Sequence, residues 1–422
     1  MLAGADRLSP AGTAGRGLAG CAADFPALDR SGREPPLHYL DNAATTQQPR
    51  PVIDAIERLA ERGVGPVHRG LYPLAEEASE VYEQARARVA RFIGAARADE
   101  LVLTRSATEA VNLVAWGWLR PRLAPGDQVW VTRMEHHANL LPWQRVCRER
   151  GAALRMVELA GDGTLDLAAA RADGLLGERT RLIAVTQVSN VLGVTNPVAQ
   201  LCAAAAKAGI PVLVDAAQAV GHQPVDVARL GCDFLAFSAH KMHGPTGIGA
   251  LWARAGHLAD TEPLLLGGGM VDQVHDDHAD WAPVPERFEA GSPNLLGAVG
   301  FAAAADYLDG LGRERVAGHV HGLASRAAEM LAEIPGLRLL PGPQTPRTSI
   351  VSFHIEGLHP HDIAQIAAEH GVALRAGHHC CQPLLHHLGL AATARASFAA
   401  YNDDTDVDAL VRALHAAIRV LR

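Results

Sequence analysis

A lysine and an aspartate each follow an apolar run in IPVLVDAAQAVGHQPVDVARLGCDFLAFSAHKMHGPTGIG, residues 210–249. Asp215 ends the first run, Lys241 follows the second, and a glycine-rich turn comes after the lysine. A lysine amine can form a Schiff base with an aldehyde, and a carboxylate can keep a pyridinium nitrogen protonated. Taken singly, the two residues would suit a surface lysine and a helix cap. Together they favour a pyridoxal phosphate (PLP) site, with Ser238 and His240 as hydrogen-bond donors to the phosphate.

A second group of reactive side chains lies in RAGHHCCQPLL, residues 375–385. Its two histidines and two cysteines are adjacent, whereas structural zinc sites separate paired ligands by two or more residues. A disulfide between Cys380 and Cys381 would close a strained ring. The adjacent histidines of EHH, residues 135–137, point in different directions and are a poor metal pair as well. No metal site is expected, which leaves a cysteine nucleophile or an ordinary loop.

The elements that position these residues are predicted by alternating patterns. Seven short apolar runs have the character of buried strands: ELVLT, QVWVT, LRMVEL, RLIAVTQV, IPVLVD, DFLAFS and GALWA. Helical spacing occurs between most of them, for example at 76–94, 108–119 and 196–209. This alternation predicts an α/β fold with a mostly parallel sheet covered by helices on both faces. Ligands of such sheets bind beyond the carboxyl ends of the strands, where Asp215 lies.

The pattern changes near residue 310, where a long helix (313–333), the strand SIVSFHI and a final helix from about Asp403 indicate a smaller α/β domain. The predicted organisation is a disordered tail (1–20), a segment packing with the small domain (21–37), a large domain (38–308) and a small C-terminal domain (309–422). The region 255–295, rich in Gly, Asp and Pro, is expected to be a long functional loop.

Bulk properties exclude several function classes. Apolar residues make up 48% and charged residues 20% of the 422 residues, as in ordinary globular enzymes. The net charge of −8 predicts no nucleic-acid binding, and no apolar run is long enough to predict a membrane span. The six cysteines are too few and too scattered for a disulfide framework, which favours a reducing cytoplasm.

The stretch around Asp215 and Lys241 resembles the PLP-lysine region of the class V aminotransferase group, and closely that of cysteine desulfurases of the SufS/CsdA kind. Further blocks agree: YLDNAATTQQP, VHRG, TEAVNLVAW, EHHANLLPWQ, VSNVLG, RFEAGSPN, RAGHHC and RASFAAYN. The resemblance covers roughly residues 24–422, and the combination is far more specific than any single motif. It implies PLP fold type I, with a large domain around a mostly parallel seven-stranded sheet and a smaller C-terminal α/β domain.

The resemblance also implies roles for the residues that would hold the cofactor. Lys241 would form the Schiff base, Asp215 would pair with the pyridine nitrogen, and Gln218 would bond the phenolic oxygen. His136 would stack on the ring and move protons. The phosphate would be held by Thr108, Ser238 and His240, and by Ser292 from the neighbouring subunit, so that the site requires a homodimer.

Substrate roles follow from the same resemblance. Asn190 and Arg395 would bind the substrate, since a guanidinium can grip a carboxylate bidentately. The site would be lined by His68, Arg69 and Arg375. Four positions depart from the usual pattern without removing a catalytic residue: Ala107 and Ser292 stand where Thr is usual, Ala216 where Gly is common, and Cys381 where Ala is usual.

The function implied is cysteine desulfuration: L-cysteine gives L-alanine and a persulfide on Cys380. A loop position would let the persulfide swing out to a SufE- or SufU-like acceptor that feeds iron–sulfur cluster assembly. Selenocysteine lyase and another class V PLP enzyme, such as an aminotransferase or kynureninase-like hydrolase, are the alternatives. A non-enzymatic metal-binding or sulfur-carrier protein would leave Lys241 and Asp215 unexplained. Cys381 is expected to be a silent neighbour rather than a second sulfur carrier.

Overall fold

The computed structural model describes residue 18 and residues 20–29 and 31–422. The tail predicted for residues 1–20 therefore lies almost entirely outside the described residues.

Fifteen strands alternate with thirteen α-helices along the described chain. The strands are β1 (His38–Tyr39), β2 (Leu101–Thr104), β3 (Gln128–Thr132), β4 (Ala153–Val157), β5 (Thr180–Thr186), β6 (Val212–Asp215), β7 (Phe234–Ser238), β8 (Gly249–Ala253), β9 (Val271–Val274), β10 (Ala279–Trp281), β11 (Leu337–Leu340), β12 (Ile350–Ile355), β13 (Val372–Ala373), β14 (Arg375–Gly377) and β15 (Thr393–Ser397). The helices are α1 (Arg50–Arg62), α2 (Pro73–Phe92), α3 (Ala107–Leu113), α4 (Leu141–Arg150), α5 (Leu167–Ala172), α6 (Val198–Lys207), α7 (Val227–Leu230), α8 (Ala255–Ala259), α9 (Leu295–Leu311), α10 (Arg313–Ala332), α11 (Pro360–Glu369), α12 (Gln382–His387) and α13 (Asp404–Leu421).

The seven predicted apolar runs form one seven-stranded sheet, in the order β2-β8-β7-β6-β5-β3-β4. The five consecutive strands of the sheet β7-β6-β5-β3-β4 run parallel to one another. Strand β8 runs antiparallel to both β2 and β7. The mostly parallel sheet is therefore confirmed. Because β7 and β8 are antiparallel, the loop that joins them begins and ends at the same edge of the sheet.

Alternate residues along the strands fill two separate cores. Val212 and Val214 of β6 pack in the core that contains residues of α1, α2, α6 and α9. Leu213, between them, packs in the core that contains residues of α3 and α4. Successive side chains of a strand point to opposite faces, so the sheet must be covered by helices on both sides. That prediction is confirmed.

A second, antiparallel sheet of four strands has the order β11-β12-β15-β14. Helices α10, α11 and α13 share a core with it. Strand β1 pairs in parallel with β13, and Asp41 bridges to Ser397 of β15. Phe25, from the segment before β1, makes edge-on ring contacts with Tyr307 and Tyr401. The division predicted after residue 308 falls inside α9, which continues to Leu311.

The region 255–295 is not the continuous loop that its composition indicates. It contains helix α8 and a hairpin of β9 and β10, and α9 begins at its end. The hairpin was missed because its strands are largely exposed, with Val274 67% exposed, and so lack the apolar alternation of a half-buried strand. None of the helices in the described chain combines the length and apolar character needed to cross a bilayer.

Candidate active site

The carboxyl ends of two adjacent strands bring the aspartate and the lysine together. Asp215 is the last residue of β6, and Lys241 lies in the 3-10 turn that directly follows β7. Burial raises the pKa of Asp215 and lowers the pKa of Lys241, and the opposite charge of each partner counters both shifts. Opposite charges whose pKa values are both shifted by desolvation are expected of groups that react with a ligand rather than of surface charges.

Close backbone approach between two turns completes this edge of the site. A Cβ at Gly221 would lie 2.4 Å from the Lys241 carbonyl oxygen, so only glycine lets the turn after β6 pack on the lysine turn. Gln218, in the same turn, donates from Nε2 to the carbonyl of Ala43 at 2.8 Å. Its Oε1 is buried without a partner in the described chain. Gln218 therefore retains hydrogen-bonding capacity beside the lysine.

The start of α3 lies against the end of β7. The Ser238 hydroxyl accepts from the Ala107 N–H at 2.8 Å, which leaves its own hydrogen free to donate. Thr108 is exposed in the first turn of α3. The Nδ1 atom of His240 is buried and has no partner among the described residues. The three predicted phosphate ligands Thr108, Ser238 and His240 thus lie around one end of the sheet with polar atoms to spare.

His136 follows the end of β3 and is held as a neutral ring. Its Nδ1 accepts from the Ala138 N–H at 3.1 Å. Burial lowers the pKa of His136 to about 3, and the nearby positive charges of Lys241, Arg395 and Arg375 act in the same direction. A neutral, mostly buried imidazole beside the lysine is suited to stacking on an aromatic ligand.

Two guanidinium groups reach the site from the second sheet. Arg395 of β15 and Arg375 of β14 are paired in register. Arg395 donates to Asp41 Oδ1 at 3.0 Å and to the Asn190 carbonyl at 2.9 Å, while its Nε is buried without a partner in the described chain. Burial lowers the pKa of Arg395 to about 10, yet the group stays charged at neutral pH. The pair forms a cationic site with an unused donor.

The cysteine loop joins β14 to α12 in an unusual backbone conformation. His379 and Cys380 have φ values of 53° and 54°, a left-handed region that costs non-glycine residues about 1–3 kcal/mol each. Tertiary hydrogen bonds hold the loop: the His137 N–H donates to the Cys380 carbonyl at 2.8 Å, and Asn190 Nδ2 donates to the His379 carbonyl at 2.7 Å. A thiolate at Cys380 would raise the pKa of Lys241 against the dominant effect of burial, which places the loop near the lysine.

These contacts qualify two expectations. The loop backbone is anchored rather than free, so swinging motion is left to the Cys380 side chain, which is partly exposed. Asn190, predicted to bind substrate, uses its amide nitrogen to hold the loop.

The second cysteine has a different environment. Cys381 is buried, and its Sγ donates to the carbonyls of Met134 and Glu135, each at 3.3 Å. Burial raises the pKa of the Cys381 thiol far above its ordinary value. Because the thiolate is the reactive form of cysteine, Cys381 is a structural thiol at neutral pH.

Three predicted site residues lie elsewhere in the described chain. His68 Nε2 is 3.3 Å from Glu83 Oε1 on α2. Arg69 lies against Gly269, where a Cβ would be 2.4 Å from its guanidinium. The Gly291 N–H donates to the Gly268 carbonyl at 2.8 Å, which joins the exposed Ser292 to the same region. We call segments 68–72, 265–269 and 290–292 the exposed rim; the contacts of His68 and Arg69 named here are with this rim and α2.

Two residues that the sequence did not assign are part of the site. Asp41 neutralises Arg395, and Glu135 accepts hydrogen bonds beneath His136. Both lie in motif blocks quoted for the family resemblance, YLDNAATTQQP and EHHANLLPWQ, which was the only available signal. Among the described residues, no group of three or more His, Cys, Asp or Glu side chains is arranged to hold a metal ion.

Comparison with known proteins agrees with this geometry. Residues 38–410 match the family model described as aminotransferase class-V. A probable cysteine desulfurase of Halalkalibacterium halodurans is 44% identical over 92% of this chain and 95% of its own. A cysteine desulfurase of Haloferax volcanii is 44% identical over 94% of this chain and 95% of its own. The crystal structure of the cysteine desulfurase CsdA from Escherichia coli, 39% identical, superimposes with a TM-score of 0.88 over 96% of this chain and 100% of that chain. The chain therefore belongs to the aminotransferase class-V family, on its cysteine desulfurase branch.

Proposed function

We propose that this protein is a PLP-dependent cysteine desulfurase, which converts L-cysteine to L-alanine and keeps the sulfur on Cys380 as a persulfide. One observation carries the proposal: a partly exposed cysteine lies in the same cluster as the pair formed by Lys241 and buried Asp215. The lysine and aspartate suit PLP, and the cysteine suits sulfur transfer. An aminotransferase would have no use for this thiol. The names of the similar proteins support the same activity.

The polar atoms left unpaired in the site fit this cofactor. Lys241 and Asp215 lie at the ends of adjacent strands. The lysine could therefore bond the aldehyde of a PLP molecule while the aspartate pairs with the ring nitrogen of the same molecule. Gln218 Oε1 and His240 Nδ1 are buried without partners in the described chain. When bound, PLP would supply an aldehyde that captures the substrate amine and a protonated ring that withdraws electrons from it. Thr108, Ser238 and His240 would hold the phosphate, and neutral His136 would cover the ring.

The chain's own groups account for the remaining chemistry. Arg395, with its free Nε, and Arg375 hold the substrate carboxylate. The lowered pKa of Lys241 makes its amine available to take the α-proton. The Cys380 thiolate attacks the substrate sulfur: a sulfur–sulfur bond forms, the carbon–sulfur bond breaks, and its electron pair stays on carbon. Protonation of that carbon gives the methyl group of alanine, and Lys241 returns a proton to the α-carbon.

A homodimer is part of the proposal. The exposed rim carries His68, Arg69 and Ser292, and the contacts described above for this region are with α2 and the rim itself. It also carries exposed apolar side chains, with Leu71 99% and Leu266 68% exposed. Exposed apolar patches on soluble proteins are commonly interaction surfaces. A second subunit covering the rim would receive His68, Arg69 and Ser292 at its own site, with Ser292 against the phosphate.

The persulfide requires a recipient. His378, two residues before Cys380 in the loop, is exposed, so the loop is reachable from outside. We infer a SufE- or SufU-like acceptor protein in the cytoplasm, feeding iron–sulfur cluster assembly; the family resemblance alone supports this step.

The decisive experiment compares wild type with Lys241→Ala in the presence of L-cysteine and a reductant. Wild type is expected to release alanine and sulfide and to carry a visible absorbance band that borohydride bleaches. Lys241→Ala is expected to lose both, because the amine that bonds the cofactor is gone. An unchanged spectrum in the variant would overturn the PLP assignment. Accumulation of a keto acid in place of alanine would identify a transaminase.

A further inference from the structure

The side chain of Glu135 is buried in the middle of the structure, with 1% of the residue exposed. Its Oε1 accepts from the Thr132 hydroxyl at 2.6 Å and from the Thr186 N–H at 2.9 Å. Its Oε2 accepts from Asn139 Nδ2 at 2.6 Å. Burial raises the pKa of Glu135 to about 8, although the three donors oppose that shift. A carboxyl group kept in such a place must meet a structural or functional requirement.

These bonds join three elements at the carboxyl edge of the large sheet. Thr132 ends β3, Thr186 ends β5, and Asn139 ends the 3-10 turn before α4. Asn139 continues the chain of bonds, because its Oδ1 accepts from Trp143 Nε1 on α4 at 3.0 Å. The carboxyl group therefore fixes both ends of the turn formed by residues 133–139.

The same turn contacts the reacting groups. It carries His136 directly after Glu135. Its backbone carbonyls at Met134 and Glu135 accept from the Cys381 thiol, and the His137 N–H donates to the Cys380 carbonyl. The ring expected over the cofactor and the loop expected to carry the persulfide thus rest on one short segment.

We propose that Glu135 is a positioning residue for the desulfurase reaction. By fixing the 133–139 turn, its side chain holds His136 beside Lys241 and keeps the Cys380 loop at the distance required for attack on sulfur. The proposal rests on the proposed function for the roles of His136 and Cys380. The hydrogen-bond arrangement itself is independent of that function.

The carboxyl group of Glu135 and the amide group of Asn139 can be exchanged between the two positions as a test. In Glu135→Gln, the new amide group faces the Asn139 amide donor, so one bond is lost and two donors oppose each other. In Asn139→Asp, the amide donor is lost and two carboxyl groups face each other. In the double variant, the oxygen of the new amide can accept from Thr132 and Thr186, and its nitrogen can donate to one oxygen of the new carboxylate. The other oxygen of that carboxylate can accept from Trp143. Every bond is then restored, with the two side-chain types exchanged between the two positions.

Two readouts are needed, one of which does not require the cofactor. The first is the rate at which iodoacetamide alkylates Cys380 in cofactor-free protein, with Cys380→Ser as the blank, since the other five cysteines are buried. The second is kcat and KM for alanine formation by the holoenzyme. A displacement of about 1 Å in a reacting group can cost about 100-fold in rate. We expect each single variant to alkylate several-fold faster and to lose kcat by roughly tenfold or more, with KM changing less. The double variant should recover most of both.

The outcomes separate the two proposals. Single variants that behave like wild type, or a double variant no closer to wild type than the single ones, overturn the positioning role. If Glu135→Gln does not fold, comparison of the double variant with Asn139→Asp carries the same decision. If wild type forms no alanine while alkylation still follows the exchange pattern, the desulfurase proposal fails and the positioning of the Cys380 loop stands.

Discussion

At the scale of single residues, two adjacent cysteines are placed for different tasks. Cys380 is partly exposed and lies near Lys241, whereas Cys381 is buried with its thiol bonded to two backbone carbonyls. Adjacent residues in a turn point in different directions, so one thiol can face the substrate while the other faces the core.

Substitution by serine distinguishes the two thiols. Cys380→Ser is expected to abolish alanine formation, because an alcohol at this position cannot accept the substrate sulfur. Cys381→Ser is expected to keep most of it, because the hydroxyl can still donate to the carbonyls of Met134 and Glu135. Alanine and sulfide released from L-cysteine provide the measurement. If Cys381→Ser is the inactive variant, the nucleophile has been assigned to the wrong residue.

Residue types and motif blocks were sufficient to select side chains that the structure brings together: Lys241, Asp215, His136, Arg375, Arg395 and Cys380. They were insufficient for Glu135 and Asp41, since a sequence does not show whether a carboxylate is buried or which cation it meets. The sequence also did not show that His68, Arg69 and Ser292 lie together on one exposed rim. Their partners depend on packing between distant segments.

At the scale of elements, a buried ion pair ties the exposed rim to the large sheet. Arg86 of α2, whose side chain is 1% exposed, pairs with Glu289, which is 7% exposed. Glu289 also accepts from the Tyr82 hydroxyl and the Leu103 N–H, each at 2.8 Å. Since Glu289 directly precedes the segment that carries Ser292, this pair determines where that segment starts.

Removal of the buried cation should be costly. Arg86→Met is expected to lower the free energy of unfolding by about 3–5 kcal/mol, because Glu289 would remain buried without a counter-charge. Urea denaturation provides the measurement. Arg97→Met, which removes an exposed ion pair with Asp99, is the matched control and should leave stability unchanged. Equal effects of the two substitutions would contradict the importance assigned to Arg86.

The elements themselves were predicted with uneven success, for a physical reason. Apart from the edge strand β4, the strands of the large sheet are apolar runs because they are buried on both faces, and such runs are visible in sequence. The hairpin of β9 and β10 has no buried face to impose alternation, and its exposed tip has the composition of a loop. Helix bounds differed by a few residues, as for 76–94 against α2 at Pro73–Phe92, because helix ends depend on capping contacts.

At the scale of the whole molecule, buried neutral histidines couple folding to pH. Burial lowers the pKa of His243 to about 4 and that of His222 to about 3. In the unfolded chain both would titrate at about 6.5. Unfolding therefore takes up protons below about pH 6.5, so stability falls as the pH falls from that value towards the folded-state pKa.

This linkage predicts the effect of one substitution. His243→Asn keeps a residue that tolerates the left-handed backbone, φ 67°, and removes one titrating ring. Its stability should fall less steeply between about pH 6.5 and 4, by at most about 1.4 kcal/mol per pH unit. Urea denaturation across this range measures the slope. His415→Asn, on an exposed position of α13, should keep the wild-type slope; an identical slope for His243→Asn would refute the assignment.

Assembly is the second property of the whole molecule that can be tested. Leu71→Asp places a charge on a side chain that is 99% exposed in the single chain and is expected to be covered in the dimer. Sedimentation should show wild type as a dimer and the variant shifted towards monomer, because a buried unpaired charge opposes association. Val420→Asp, on another apolar side chain that is 70% exposed, should remain dimeric. A monomeric wild type would refute the proposed arrangement of the rim.

The antiparallel strand β8 has a consequence for which changes of chain length the fold can accept. Lys241 lies in the connection 239–248, and Ser238 and Gly249 at its two ends are paired with each other in the ladder. This connection contains no α-helix whose length could change to compensate for an added or deleted residue. Such a change would therefore displace the lysine from Asp215. The crossovers between parallel strands pass through helices and turns on the faces of the sheet, such as residues 158–179 between β4 and β5. Insertions and deletions among related proteins should therefore accumulate in those crossovers and be absent from the lysine loop.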